Sequence, residues 1–370
     1  MKKMLVLLLT LTLCFSCAPV LAEEAERETF KSGGFTYALL EDGTAEITRY
    51  KGDTGELAIP DDLDGHSVTA VGDRAFEGCS GLTSVTIPDS VTSIGDGAFR
   101  RSGLTSVTIP DSVTDLGVNP FARCDSLAKI IVSQDHPSLA TIDGVLFSKP
   151  DKRLVTWPCA FTRSDYTIPQ GIKIIGDSAF ESCSGLTSIT IPDSVTSIDD
   201  DAFWGCSGLT SVAIPDSVTD LGGNPFAGCD NLAKIIVSQD HPSLATIDGV
   251  LFSKPDKRLV TWPCAFTRSD YTIPQGIKII GDGAFGLCSS LTAVAIPDSV
   301  TSIGDWAFDG CSGLTAVTIP DNVTSIGDEA FVGCNSLTSV IVGRDSYAKQ
   351  YCIDHDLPYV YADANDWLNE

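Results

Sequence analysis

The chain has 370 residues, with 49 acidic side chains against 24 basic ones and a formal charge of −25. Such an acidic chain repels phosphate backbones, so nucleic-acid binding driven by counterion release is excluded. Hydrophobic residues make up 43%, and 33 glycines and 19 prolines punctuate the chain, so a long core interrupted by many turns is expected.

The first 22 residues read as an export signal: Lys2 and Lys3 precede an apolar run from Met4 to Leu13, and a small-residue stretch ends at Ala22. The run is too short for a permanent membrane-spanning helix, and no later stretch is long and apolar enough for one, so no transmembrane protein is expected. Removing two lysines and no acid leaves 22 basic against 49 acidic residues, a formal charge of −27. The expected location is secreted or at the cell surface. Lipid attachment at Cys17 is the lesser alternative, because Cys14 and Phe15 fit a lipobox poorly. Residues 23–33 read as a flexible lead. Phe35 to Leu39 and Ala45 to Tyr50 flank Asp42-Gly43 as a capping hairpin, which makes residues 23–56 the N-terminal cap.

Residues 57–343 repeat. Phe76, Phe99, Phe121, Phe180, Phe203, Phe226, Phe285, Phe308 and Phe331 recur with gaps of 23, 22, 59, 23, 23, 59, 23 and 23. A period of about 20–29 residues means a solenoid. One unit runs from Cys183 to Cys206. Leu186, Ile189 and Ile191 are spaced as a strand beside β-branched Thr190, and Pro192-Asp193-Ser194 breaks it. Val195 and Ile198 return inward, and Asp199 and Asp200 are placed to cap a short turn carrying Ala202 and Phe203. Stacking predicts a leucine-rich-repeat right-handed coil, with a stacked parallel β-sheet on one face and short helical or 3-10 turns on the other. About a dozen coils would give a rod on the order of 60 Å. A longer unit occurs twice: residues 124–180 and 229–285 differ only at Ser126/Asn231 and Ser178/Gly283, so a 105-residue block is duplicated. In it, Ile130-Ile131-Val132 reads as a strand and Asp143-Gly144 as a turn before Val145-Leu146-Phe147, forming a hairpin-like excursion or an irregular coil.

The cycle I-P-D-S-V-T-S-I-G-D-x-A-F-x-G-C-S-G-L-T, with the variant stretch I-D-G-V-L-F-S-K-P, resembles the BspA-like leucine-rich-repeat family of bacterial surface proteins over residues 57–343. The resemblance implies adhesion to extracellular matrix proteins, host cells or other microbes, and it implies no active site. Residues 344–370 read as a C-terminal cap, with a short helix from Tyr347 to Ile353 and a strand from Pro358 to Tyr361.

Eight cysteines share one repeat position: Cys79, Cys124, Cys183, Cys206, Cys229, Cys288, Cys311 and Cys334. They read as a ladder of small buried residues, with bridging between coils as the alternative. Cys159, Cys264 and Cys352 lie off the ladder and are the better candidates for exposed or paired thiols. His66, His136, His241 and His355 lack zinc-ligand spacing with cysteine, and the recurrent aspartates lack a calcium-loop pattern, so neither metal nor cofactor is expected. There is no nucleophile elbow, phosphate loop or dinucleotide fingerprint, and Asp135-His136 and Asp240-His241 sit in Pro-containing turns, so no enzyme is expected. The binding candidates are residues that depart from the repeat: Arg100, Arg101, Arg123, Trp204 and Trp306. Trp157 and Trp262 of the long units can either reach a partner or fill the unit's own core. The expected function is adhesion to an extracellular protein or glycoprotein. A glycan-binding module and a structural surface spacer without a specific ligand are the alternatives.

Overall fold

Strands of two or three residues, such as Ser197–Ile198 and Ser188–Thr190, are too short to persist except against neighbours. The computed structural model describes residues 27–362, so the export signal read at residues 1–22, with Cys17, lies outside them. Over the described residues the chain winds into a leucine-rich-repeat β-solenoid of about 14 turns.

Each standard coil contributes to two parallel ladders. Ser188–Thr190 pairs in register with Asp165–Thr167, while Ser197–Ile198 pairs with both Ile174–Ile175 and Asp220–Leu221. The expectation of one sheet backed by helical or 3-10 turns is corrected here: a second sheet follows Pro192, and the segment carrying Ala202 and Phe203 is a turn. Two residues with positive φ, Asp201 at 53° and Gly205 at 69°, break helical geometry. The backbone amides are also spent on the next coil: Phe203 N–H donates to Pro225 O and Gly205 N–H to Ala227 O, both at 2.8 Å. Among the described residues the one helix is Tyr347–Asp354, in the C-terminal cap.

Inside, like stacks on like. The rings of Phe76 and Phe99, Phe180 and Phe203, and Phe285 and Phe308 lie 4.9 Å apart and nearly parallel, close to the strand spacing of about 4.8 Å. Buried thiols follow the same logic: Cys206 Sγ donates to Phe180 O at 3.0 Å and Cys311 Sγ to Phe285 O at 3.0 Å. Ser102 keeps this position polar and buried, its hydroxyl 3.3 Å from Cys124 Sγ. Outside, Thr315 Oγ1 donates to Thr292 O and Thr338 Oγ1 to Thr315 O, both at 3.1 Å.

The recurrent aspartate does not cap its own turn. Asp200 Oδ1 accepts Gly223 N–H of the next coil at 2.5 Å, and Asp73, Asp282 and Asp305 accept from the same position one coil on. This explains the glycine of the Gly-Asp pair. A Cβ on Gly327 would stand 2.1 Å from Asp305 Oδ1 and 2.5 Å from Asp305 N.

The long unit builds a hairpin, Leu139–Ile142 antiparallel to Val145–Ser148, which continues antiparallel into Arg153–Thr156 and then parallel to Ile174–Ile175. Its side chains alternate between two cores: Leu146 and Val155 pack with the preceding coils, Val145, Phe147 and Leu154 with the following ones. The second copy divides its neighbours the same way, with Leu251 and Val260 on one side and Val250, Phe252 and Leu259 on the other. Asn119 fastens the first wall. Its Oδ1 accepts from Thr156 Oγ1 at 2.6 Å and its Nδ2 donates to Ser178 O at 2.6 Å, a clamp that Asn224 repeats on Thr261 and Gly283.

At the N-terminal end, Phe35–Leu39 and Ala45–Tyr50 form an antiparallel hairpin, and Ala45–Tyr50 runs parallel to His66–Val71. The flexible lead read at residues 23–33 is corrected from Thr29 onward, because Thr29–Ser32 finds backbone partners in Phe35–Leu39. At the other end Tyr351 sets its ring against Phe331, and Tyr359–Tyr361 adds a parallel strand to Ser339–Val342.

Two substitutions test this packing by urea unfolding. Phe308→Ala is expected to cost about 3–5 kcal/mol. Gly327→Ala, which forces backbone apart, is expected to cost about 1–3 kcal/mol, whereas Gly81→Ala, with nothing within 4 Å of the new Cβ, leaves the midpoint essentially unchanged.

A candidate binding groove on the turn edge

Two positions of the Gly-Asp-x-Ala-Phe-x-x turn are left-handed, and this geometry carries their side chains out of the coil. At the second of them the repeat uses glycine, as at Gly205, Gly228 and Gly310. Arg101, Arg123, Ser182 and Leu287 take it instead, with φ of 57°, 56°, 63° and 63°. A non-glycine residue there costs roughly 1–2 kcal/mol, which makes these departures candidates for function.

Several departures meet in one groove of about 400 Å³, between Trp204 and Trp306 and floored by Gly223, Ala227, Gly283 and Gly286. Arg100 and Arg123 both donate to Oε1 of Glu181 at 2.6 Å, although Glu181 lies 81 and 58 residues away in sequence. The Arg123 guanidinium also stacks over the Trp204 ring at 4.1 Å. Glu181 is 3% exposed, and its Oε2 has no hydrogen-bond partner among the described residues. Trp306 is 49% exposed, and its indole N–H donates to Glu329 Oε2 at 2.9 Å, which fixes the ring plane.

Around these groups stand Asp200, Asp201, Asp282 and Asp309. Desolvation by the groove walls, then the charges of Glu181 and Asp200, push the Asp201 carboxyl up to about 6, with Arg100 opposing. Desolvation and then Glu329 raise Asp309. Asp199, outside the groove, takes the place of the glycine found at Gly222, Gly304 and Gly327, and its carboxylate is bound by Arg153 at 2.5 Å.

The groove also lies where the duplicated blocks part company. Apart from Ser126/Asn231 the long units match until Ser178/Gly283; then Glu181 is answered by Gly286 and Ser182 by Leu287. Truncation to glycine on the later coil hollows the floor. A wider hollow of about 780 Å³ beside the N-terminal cap sets Arg49, Lys51 and Arg74 against Asp53, Asp73 and Glu77, balanced in charge.

Of the residues singled out in the sequence, Arg100, Arg123, Trp204 and Trp306 line this groove. Arg101 is exposed but does not line it. Trp157 and Trp262 are core residues, 2% and 1% exposed, so neither offers a contact surface. Each extends the phenylalanine stack, Trp157 onto Phe180 at 5.6 Å and Trp262 onto Phe285 at 5.9 Å. Arg163 and Arg268 lie over these indoles at 4.6 Å. Glu181 and the floor glycines were missed, because a carboxylate among 49 acidic residues gives no signal until the fold sets two arginines on it.

Of the three off-ladder cysteines read as exposed or paired, Cys159 and Cys264 are paired, and their partners come from the ladder. Cys159 bridges Cys183 and Cys264 bridges Cys288. Cys352 is unpaired and buried, so it is neither exposed nor bridged. Burial pushes the Cys229 thiol up to about 12 and Cys124 to about 11. His136 and His241 are fully buried turn residues: Nδ1 accepts the backbone N–H of Leu139 or Leu244 at 3.0 Å, and Nε2 meets Pro110 O or Pro215 O. Among the described residues no cluster of His, Cys, Asp and Glu could hold a metal ion, and no helix is long and apolar enough to cross a membrane.

The family model described as BspA type leucine rich repeat region matches in six copies, over residues 62–163, 159–270 and 264–355. Among solved structures, a leucine rich cell surface protein from Faecalibacterium prausnitzii A2-165 is 29% identical, covering 92% of this chain and 97% of its own, with a TM-score of 0.50. A leucine-rich repeat protein from Eubacterium ventriosum ATCC 27560 is 24% identical over 82% of this chain and 93% of its own, with a TM-score of 0.48. None of the curated proteins matches.

Thiol titration checks the cysteine pattern: residues 23–370, denatured without reductant, should show the seven free thiols, and reduction should add the four bridged ones. Asp201→Asn checks the electrostatics. The folded-state carboxyl titrates above its unfolded value of 3.8, so the protonated form's advantage is lost as pH rises through about 6. The variant should therefore have the higher urea midpoint at pH 8, with the gap closing by pH 4.

Proposed function

Since the chain belongs to the BspA-type leucine-rich repeat family, we propose that it is an exported surface protein that adheres to an extracellular protein, with the turn-edge groove as its contact. The observation that carries this reading is the convergence of Arg100, Arg123, Trp204 and Trp306 on one hollow of an otherwise monotonous repeat. Arginine and tryptophan are the side chains that most often anchor protein interfaces.

Export is supported by the leader read at residues 1–22 and by the bridges Cys159–Cys183 and Cys264–Cys288, since disulfides persist in oxidising compartments. The surface assignment is supported by the Faecalibacterium prausnitzii neighbour, itself described as a cell surface protein. Stacked coils with open edges give a long surface that a folded partner can lie along.

The test is binding of residues 23–370 to an immobilised panel of matrix glycoproteins and polysaccharides, with soluble sugars as competitors. Saturable binding to a protein that sugars leave intact is expected. Release by free sugar would move the assignment to a glycan ligand, and a blank panel would leave a spacer role. Trp306→Ala should weaken that binding about tenfold with the unfolding midpoint unchanged. Trp262→Ala should instead lower stability by about 3–5 kcal/mol.

A further inference from the structure

The groove is acidic on balance, with two guanidinium groups facing five carboxylates, and both guanidiniums are already bound to one oxygen of Glu181. We propose that the groove receives a lysine or arginine side chain from a basic segment of the partner protein, seated against Trp306 and bound by Asp201, Asp309 and the free oxygen of Glu181. This rests on the adhesive reading above and names the partner's chemistry.

Four observations carry it. Glu181 Oε2 is an ionic acceptor enclosed at the groove and left without a donor, and a buried acceptor of this kind is costly until a donor arrives. The Trp306 N–H is engaged by Glu329, so the aromatic face is what the residue can offer, and an aromatic face attracts cations. Arg123 over Trp204 at 4.1 Å already shows a guanidinium seated on the facing wall. The carboxyls of Asp201 and Asp309 are both raised, first by desolvation against the groove walls and then by neighbouring carboxylates, so a cation seated beside them would offset both effects. Residues 23–370, with 22 basic against 49 acidic side chains, also draw basic surfaces toward themselves before contact.

The floor decides the depth. Gly283 and Gly286 stand where the earlier block has Ser178 and Glu181, so an incoming side chain meets main chain where a carboxylate would otherwise fill the space.

The experiment titrates residues 23–370 at pH 8 and low salt with fluorescein-labelled tetralysine and tetraarginine peptides, read by anisotropy, with tetraglutamate and spermidine as comparisons. Saturable binding of the basic peptides is expected, and Asp201→Asn/Asp309→Asn should weaken it at least about tenfold. Asp89→Asn/Asp193→Asn removes the same charge from two exposed Pro-Asp-Ser turns outside the groove and should change affinity less than about twofold. Equal losses in the two double variants would overturn the proposal in favour of diffuse attraction, as would the absence of saturation. Spermidine binding as tight as the peptides would overturn the protein partner in favour of a free polyamine. Because the peptides are titrated apart from the panel, a blank panel would reject the adhesive reading without deciding the groove's chemistry, and diffuse peptide binding would reject the groove's chemistry alone.

Discussion

Each standard coil finds the partners for its short strands only in the coils before and after it, so the molecule depends on one spacing being held across every edge. Rings at 4.9 Å set it inside, and strand pairing sets nearly the same distance. On the turn edge the aspartate bracket must fit the same gap, and in coils such as that of Gly327 glycine leaves the neighbouring Cβ position empty for it. The ring stack opens to 5.6 Å at Phe99–Phe121 and 5.4 Å at Phe203–Phe226. Those are the coils where Asn-Pro replaces the usual turn and a long unit follows.

The repeat makes the architecture legible, because a phenylalanine every 23 residues has one economical packing. The hairpin around Asp42-Gly43 was legible for a local reason, since its turn chemistry lies next to its strands. What stayed hidden depends on contacts between coils. The aspartate looked like a cap because a sequence shows which residues follow it, not which backbone lies beneath its carboxylate one coil later. The bridge of Cys183 was concealed by the regularity of its ladder: its partner, Cys159, sits in the irregular unit, where the 23-residue rule gives no register. The tryptophans of the long units looked like departures because the spacing there fails, yet each takes the place of a phenylalanine.

Regularity also shapes the candidate site. A surface made of identical turns has no preferred place for a ligand, so selectivity requires residues that break the pattern. Here they gather where the second block diverges from the first. The cost is visible in left-handed Arg123, Leu287 and Trp306 and in the raised carboxyls. Glu181 links the two roles. It neutralises Arg100 and Arg123, which holds the coils together across a long unit, while its second oxygen faces no protein donor.

The long unit's two-faced wall has a consequence for how such a molecule changes length. Because each wall offers the same residues to the coils before and after it, a third block would meet only neighbours it already fits. Unequal exchange between the two near-identical stretches, residues 124–180 and 229–285, would add or remove 105 residues at a stroke. Both ends and the register of every coil would remain as they are. Reach thus becomes an inheritable setting, adjustable without any new fold having to be found.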